Sequence, residues 1–213
     1  MPRIFQELLK GQQTRLITYD ALGNKYADME NAIFTLSWAT SNADCDLSAI
    51  LCDREGKIIT GGRSEYIIYF KNLHHSSDSI LHLTDATAGT SDLDEEQIML
   101  ALKAIPGEVE TVQIVANVYS GQQFNRLSNV VFRILDPARV LKYDGLEERY
   151  EVARYNISSD RYSTNGLIIG ELFRNWFEPK SNQDAWEYEW RFRIIGTGVS
   201  GANRLNKIVD LYR

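Results

Sequence analysis

The chain has 213 residues, 44% of them hydrophobic, with a formal net charge of −6 and a pI near 5.2. That length can bury one large core, and four prolines with scattered glycines leave no linker, so a single domain over residues 1–213 is expected. An acidic balance excludes a nucleic-acid backbone as the main partner, because phosphate binding needs a basic face; no apolar run reaches the length of a membrane span.

Taken in chain order, "IFQELL" predicts one or two amphipathic helical turns. The stretch "MPRIFQELLKGQQ" has too short an apolar core for a signal peptide, which makes the cytoplasm the expected location. "AIFTLSW" sets Ala32, Phe34, Leu36 and Trp38 against Ile33, Thr35 and Ser37, the period of a strand. Strands are also predicted at "DLSAILCD", "EYIIYF", "SILHLT", "QIMLALKAI", "TVQIVANVY", "NVVFRIL", "YEVARYN" and "LIIGELF". The clearest is "AWEYEWRFRII": Trp186, Tyr188, Trp190, Phe192 and Ile194 share one face, and Glu187, Glu189, Arg191 and Arg193 the other. Turn signals at "DREGK", "PGE", "YSGQQ" and "YDGLEE" separate about ten short strands, as an all-β antiparallel sandwich requires. At the C-terminus, Leu205, Ile208, Val209 and Tyr212 form one apolar helical stripe expected to pack on the sandwich.

Several motifs lead nowhere. "GTGVSG" at Gly196–Gly201 matches a dinucleotide fingerprint, but the residues up to Arg213 cannot supply the returning strand and ribose-binding acid, so a tight turn is expected. His74, His75 and His82 lack further ligands at zinc spacing and read as solvated or hydrogen-bonded. Cys45 and Cys52 fall on opposite faces of one strand, which disfavours a disulfide. Asn156 of "NIS" reads as a polar turn. No nucleophile pairs with a base and no G-x-S-x-G elbow occurs, so catalysis is not expected.

Two acidic segments stand apart. Asp44 and Asp46 flank Cys45 at the start of a strand and point to one face. Asp85, Asp92, Asp94, Glu95 and Glu96 lie in and around a short connection between two strands. Thr87 and Gly89 stand where an EF-hand has its second and third ligands, so that motif is absent. An isolated acidic run is a solvated turn; if the two segments meet, repulsion of about 1 kcal/mol per contacting pair in water favours a cation. Oxygen donors alone, with Thr84, Thr87, Thr90 and Ser91 adding to them, suit calcium better than magnesium.

An ordered series completes the reading: "LLKGQQTRL" (Leu9, Lys10, Gly11, Leu16), the tryptophan-ended "FTLSW", "DCDLS", "DATAGTSDLDEE" and the proline-ended "LKAIP". "QQFNRLSNVVFRIL", "EVARYNIS", "GELFR" and "EWRFRIIGTGVSG" follow. In that order they resemble, over nearly the whole chain, a divergent member of the TerD family, the calcium-binding tellurite-resistance and general stress proteins of bacteria. Its pattern runs L-x-K-G-x-x-x-x-L (met here with one position of slack), D-x-D-L-D, D-N-x-T-G-x-G-D-G-D-D-E and W-x-F-x-x-x-G-x-G.

The resemblance implies a β-sandwich in which the acidic segments meet at one end. It implies calcium as cofactor, one or two ions, held by Asp44, Asp46, Asp85, Asp92, Asp94, Glu95 and Glu96. It also implies stress-response function through protein partners, other TerD-like or assembly proteins among them, with homo-oligomers or a structural subunit of a larger particle as the alternative. Ser48 stands where the family often has aspartate, Ala86 where it has asparagine, Ala88 where it has threonine, and Ser91 and Leu93 where it has glycines. These substitutions should weaken calcium binding or remove a site, because they cost oxygens and stiffen the loop. Two longer connections, residues 136–150 and 175–186, are expected as added loops where partners dock.

Overall fold

The computed structural model describes residues 5–19, 25–59, 64–89, 95–143, 146–179 and 187–213. Fourteen strands are assigned among them: β1 Gln6–Glu7, β2 Gln13–Arg15, β3 Ile17–Tyr19, β4 Lys25–Asp28, β5 Asn31–Ser37, β6 Cys45–Cys52 and β7 Ile67–Ile68. The series continues with β8 Ile80–Thr84, β9 Glu96–Ala101, β10 Thr111–Val118, β11 Val131–Tyr143, β12 Leu146–Asn156, β13 Gly166–Phe177 and β14 Glu187–Val199. One short helix, α1 (Asn206–Val209), continues into a 3-10 turn at Asp210–Tyr212.

These strands build an all-β sandwich of two six-stranded sheets, ordered β1-β12-β11-β5-β9-β8 and β2-β14-β13-β10-β6-β7, with β3 and β4 as a separate ribbon. All pairings are antiparallel except that of β1 with β12. The alternation seen in the sequence decides which side chains meet. Phe34 on β5 and Phe132 on β11 come from the first sheet and Phe192 on β14 from the second, with ring centroids 5.1–5.6 Å apart. This triad staples the two layers, edge-on in two pairs and stacked in the third.

A second apolar layer lies on the outer face of the second sheet. Ile208 and Val209 of α1 pack with Ile50, Cys52, Val115 and Ile168, and the Ile58 N–H donates to the Tyr212 carbonyl at 2.7 Å. Every residue of β6 is therefore buried. Cys45 faces the inter-sheet core and Cys52 faces α1; both are free thiols on opposite faces, as their spacing predicts.

The structure departs from expectation in four places. Gln6–Glu7 is a strand, not a helical turn, because it adds to β12 with Gln6 beside Ala153. "EYIIYF" yields a 3-10 turn at Ser64–Tyr66 and only two strand residues. The connection 136–150 is largely paired strand, with β11 and β12 in register out to Tyr143 and Leu146; of 175–186, the described residues Asn175–Phe177 continue β13 against β14 as far as the Phe177–Glu187 pair. Pro137, which cannot donate to a ladder, sits in a bulge between Asp136 and Val140 where the Asp136 carboxylate accepts from the Ala138 N–H at 3.0 Å. Residues 144–145 and 180–186 lie outside the described residues.

Finally, Gly196 and Gly198 lie within β14 instead of forming a tight turn; only Gly201, at φ +68°, stands at one. A side chain at Gly196 would meet the Tyr162 hydroxyl at 2.6 Å, and at Gly198 the Thr164 hydroxyl at 2.6 Å; close approach explains Gly198, and close approach together with a φ of +59° explains Gly196. Among the described residues no helix is long and apolar enough to cross a membrane.

Candidate cation site

The first acidic segment is positioned by Trp38. Its indole is fully buried at the end of β5 and donates from Nε1 to the Ala43 carbonyl at 2.9 Å, which fixes the turn that delivers Asp44 to β6. The Asp44 N–H then donates to the Ser120 hydroxyl at 2.9 Å. Two residues on, Asp46 is 7% exposed and accepts from Asn117 Nδ2 at 2.6 Å, its register partner on β10.

Around Asp46, two buried oxygens have no partner: Ser48 Oγ and Asn117 Oδ1. Unsatisfied oxygens in so enclosed a place are costly, and a cation is one species that satisfies them. The charges agree. Burial pushes the Asp46 carboxyl up to about 6 against the pull of the Asn117 amide, and the negative charges of Asp44 and Asp85 add to the rise. Asp44 is likewise raised, by burial first and then by Asp85. The two acidic segments therefore meet electrostatically, which composition could not show.

The second segment divides by burial. Asp85 is exposed beyond β8, Glu95 is 9% exposed, and Glu96, the first residue of β9, is wholly enclosed. Glu96 Oε1 accepts from the Ala86 N–H at 2.7 Å and Oε2 from the Leu47 N–H at 3.3 Å. His82 Nε2 lies 3.3 Å from the same Oε2 and 3.2 Å from the Leu47 carbonyl. Burial drives the Glu96 carboxyl up to about 7, against these hydrogen bonds. For His82, burial opposes the charged form, but Glu96 and the Leu47 carbonyl outweigh it and raise the imidazole above its ordinary value.

This pair has a structural reason. β7 pairs with β6 only at Ala49 and Ile50, so the Leu47 N–H and C=O face open space on that side. Glu96 and His82, reaching across from the first sheet, take the place of the missing strand. The loop they brace is seated on Trp38 as well: a side chain at Gly89 would meet that indole at 2.2 Å and the Trp38 carbonyl at 2.4 Å.

Asp92 and Asp94 lie outside the described residues. Among the described residues, no three His, Cys, Asp or Glu side chains stand close enough to hold a metal ion. The donor chemistry nonetheless fits a hard cation: Asp44, Asp46 and Asp85 offer carboxylates beside two orphaned oxygens, and the His82 imidazole, which acts on Asp46 through its charge, is already engaged with Glu96 and the Leu47 carbonyl. His74 and His75 stand elsewhere, against Asp78 and Ser77. His82 is hydrogen-bonded, as its lack of zinc-spaced partners predicts; spacing rules did not single out Asn117 or Ser120, and a lone asparagine in the apolar run "TVQIVANVY" was the only signal for either.

The chain is 29% identical over 190 residues to the tellurium resistance protein TerD of Serratia marcescens, covering 85% of this chain and 87% of that protein. It is 27% identical over 175 residues to the stress response protein SCP2 of Bacillus subtilis (strain 168), covering 80% and 75%. Its fold matches the crystal structure of a TerD homologue from Streptomyces coelicolor A3(2), with a TM-score of 0.58 at 14% identity over 81% of this chain and 92% of that one. The TerD domain pattern is matched over residues 5–212, and the chain belongs to the TerD family.

Proposed function

We propose that this chain is a calcium-binding, non-catalytic stress-response protein that acts through protein contacts. The observation that carries the reading is a pair of carboxyls, Asp44 and Asp46, raised first by burial and further by the charge of Asp85, beside the unpartnered oxygens of Ser48 and Asn117. Repulsion among carboxylates held together by the fold is relieved when a divalent cation enters. Asp44, Asp46, Asp85 and Glu95 are the proposed ligands from the described residues, and Asp92 and Asp94 complete the proposed set. Glu96 acts as the brace beneath them, since both of its oxygens already accept backbone N–H groups. The relatives named for tellurium resistance and for stress response support the biological setting.

Titrating calcium into chelator-treated protein should raise its melting temperature in proportion to RT ln(1 + [L]/Kd). Asp44→Asn should reduce that rise, and an unchanged melt at about 1 mM calcium, some thousandfold above a micromolar Kd, would refute calcium as the ligand.

A second reading, an assembly subunit with a weakened site, draws on the β13–β14 hairpin. Trp176 and Phe177, 37% and 43% exposed, stand near its outer end. Exposed aromatics of this kind mark contact surfaces. Sedimentation of the purified chain and of lysate separates the readings: a monomer in both removes the assembly role.

A further inference from the structure

The turn after β7, the turn after β10 and the segment entering α1 line a half-open cavity of about 360 Å³. Phe70 is its central ring, with the Tyr69 centroid at 5.5 Å and the Tyr119 centroid at 6.5 Å, both edge-on. Lys71 Nζ sits 5.1 Å from the same ring, and Arg204 and Arg213 line the wall. Leu205 and Val209 supply apolar surface. Among the described residues, no acidic side chain lines the cavity, although the chain carries a net charge of −6.

The cavity is built on a fixed frame. Tyr69 and Asn72 exchange backbone hydrogen bonds at 3.0 and 2.8 Å, and Asn72 Nδ2 donates to the Ile67 carbonyl at 2.7 Å, so the turn presenting Phe70 and Lys71 is held at both ends. Tyr119 precedes Ser120, whose hydroxyl accepts from Asp44, and Arg204 follows Asn203, whose carbonyl accepts from Asn117 at 3.3 Å. Both walls are thus anchored to the outer face of the second sheet.

A cavity of this size suits a small molecule, not a folded partner. Aromatic faces beside cations recognise a flat ring that carries negative charge: the ring packs on the aromatics, and guanidinium forks match phosphate oxygens. We propose that this cavity binds a small molecule in which a flat ring bears a phosphate, the ring lodging against Phe70 and Tyr119 and the phosphate meeting Lys71 and Arg204, with Arg213, paired to Asp210 at 3.2 Å, at the rim. The acidic remainder of the surface repels long polyanions and leaves a single-phosphate ligand as the matching class.

The test is calorimetric titration of the full chain in chelator, so that calcium contributes nothing, with adenosine 5′-monophosphate, phenyl phosphate, inorganic phosphate and adenosine. The two ring phosphates should bind at least about tenfold more tightly than phosphate or adenosine alone. Phe70→Ala and Arg204→Ala should each weaken them about tenfold, while Asp44→Asn leaves them unchanged. If Phe70→Ala lowers the melting temperature, Lys71→Ala and Arg204→Ala, both at exposed positions, decide the matter. Absence of ring-phosphate binding below about 1 mM, inorganic phosphate binding as tightly as phenyl phosphate, or wild-type binding by both cation variants would overturn the assignment. Adenosine matching the ring phosphates would overturn it too.

Discussion

Gly89→Ala is the most informative single change to the acidic loop. A methyl group there would stand 2.4 Å from the Trp38 carbonyl oxygen and 2.2 Å from the indole Cδ1. Ordinary contact lies near 3.4 Å, so the overlap is about 1 Å, deep in the repulsive wall. Neither obstacle can yield: the carbonyl is backbone, and the indole is wholly buried and tied to Ala43. The loop must lift, and overpacking of this kind costs about 2 kcal/mol. In a domain this size, that lowers the melting temperature by about 4–8 °C. Lifting also carries Asp85 and its neighbours away from Asp44, so calcium should bind about tenfold more weakly. Gly107→Ala, where a methyl group meets nothing within 4 Å, is the matched control. Thermal melts with chelator and with calcium read both effects. If Gly89→Ala melts within about 1 °C of wild type and responds normally to calcium, the seating of the loop on Trp38 is wrong.

Two further outcomes are expected. Glu96→Ala strips the Leu47 and Ala86 N–H groups and His82 of their acceptor, and should cost about 3 kcal/mol in chemical denaturation; a loss below about 1 kcal/mol would show that water replaces the carboxylate freely. For pH, the Asp46 carboxyl is raised from 3.8 to about 6 in the folded protein, so in the metal-free state its contribution to stability is fully present below 3.8 and is lost as pH rises through 6. Calcium needs the ionised form, so the calcium-induced rise in melting temperature should be larger at pH 7 than at pH 5, and a rise independent of pH would place Asp46 outside the site.

Period-two alternation made β5, β10 and β14 legible, because each has one face in the inter-sheet core and side chains declare that face locally. The N-terminal strand was hidden for the opposite reason. Gln6–Glu7 is extended only because β12, nearly 150 residues later, offers an edge, and local spacing carries no trace of that pairing. Polar composition and Pro137 disguised the outer half of the β11–β12 arm as a loop, whereas a single bulge absorbs the proline and the ladder resumes. At the candidate site, residue types were visible but proximity was not: the approach of Asp85 to Asp44 and Asp46 was inferred from family order, and in the structure the Asp85 charge adds to what burial does to both carboxyls. The Glu96–His82 pair escaped notice because its purpose, the unpaired backbone at Leu47, belongs to the sheet and not to either side chain's neighbours in sequence.

That arrangement at Leu47 also bears on solubility. A strand whose N–H and C=O groups face outward is a template on which another chain can add a strand, and such edges start aggregation. Here the Glu96 carboxyl group and the His82 imidazole from the opposing layer occupy the template, with buried hydrogen bonds that any incoming strand would have to displace. The acidic end of the molecule therefore guards its own sheet, and losing the guard would expose an edge on which self-association can start.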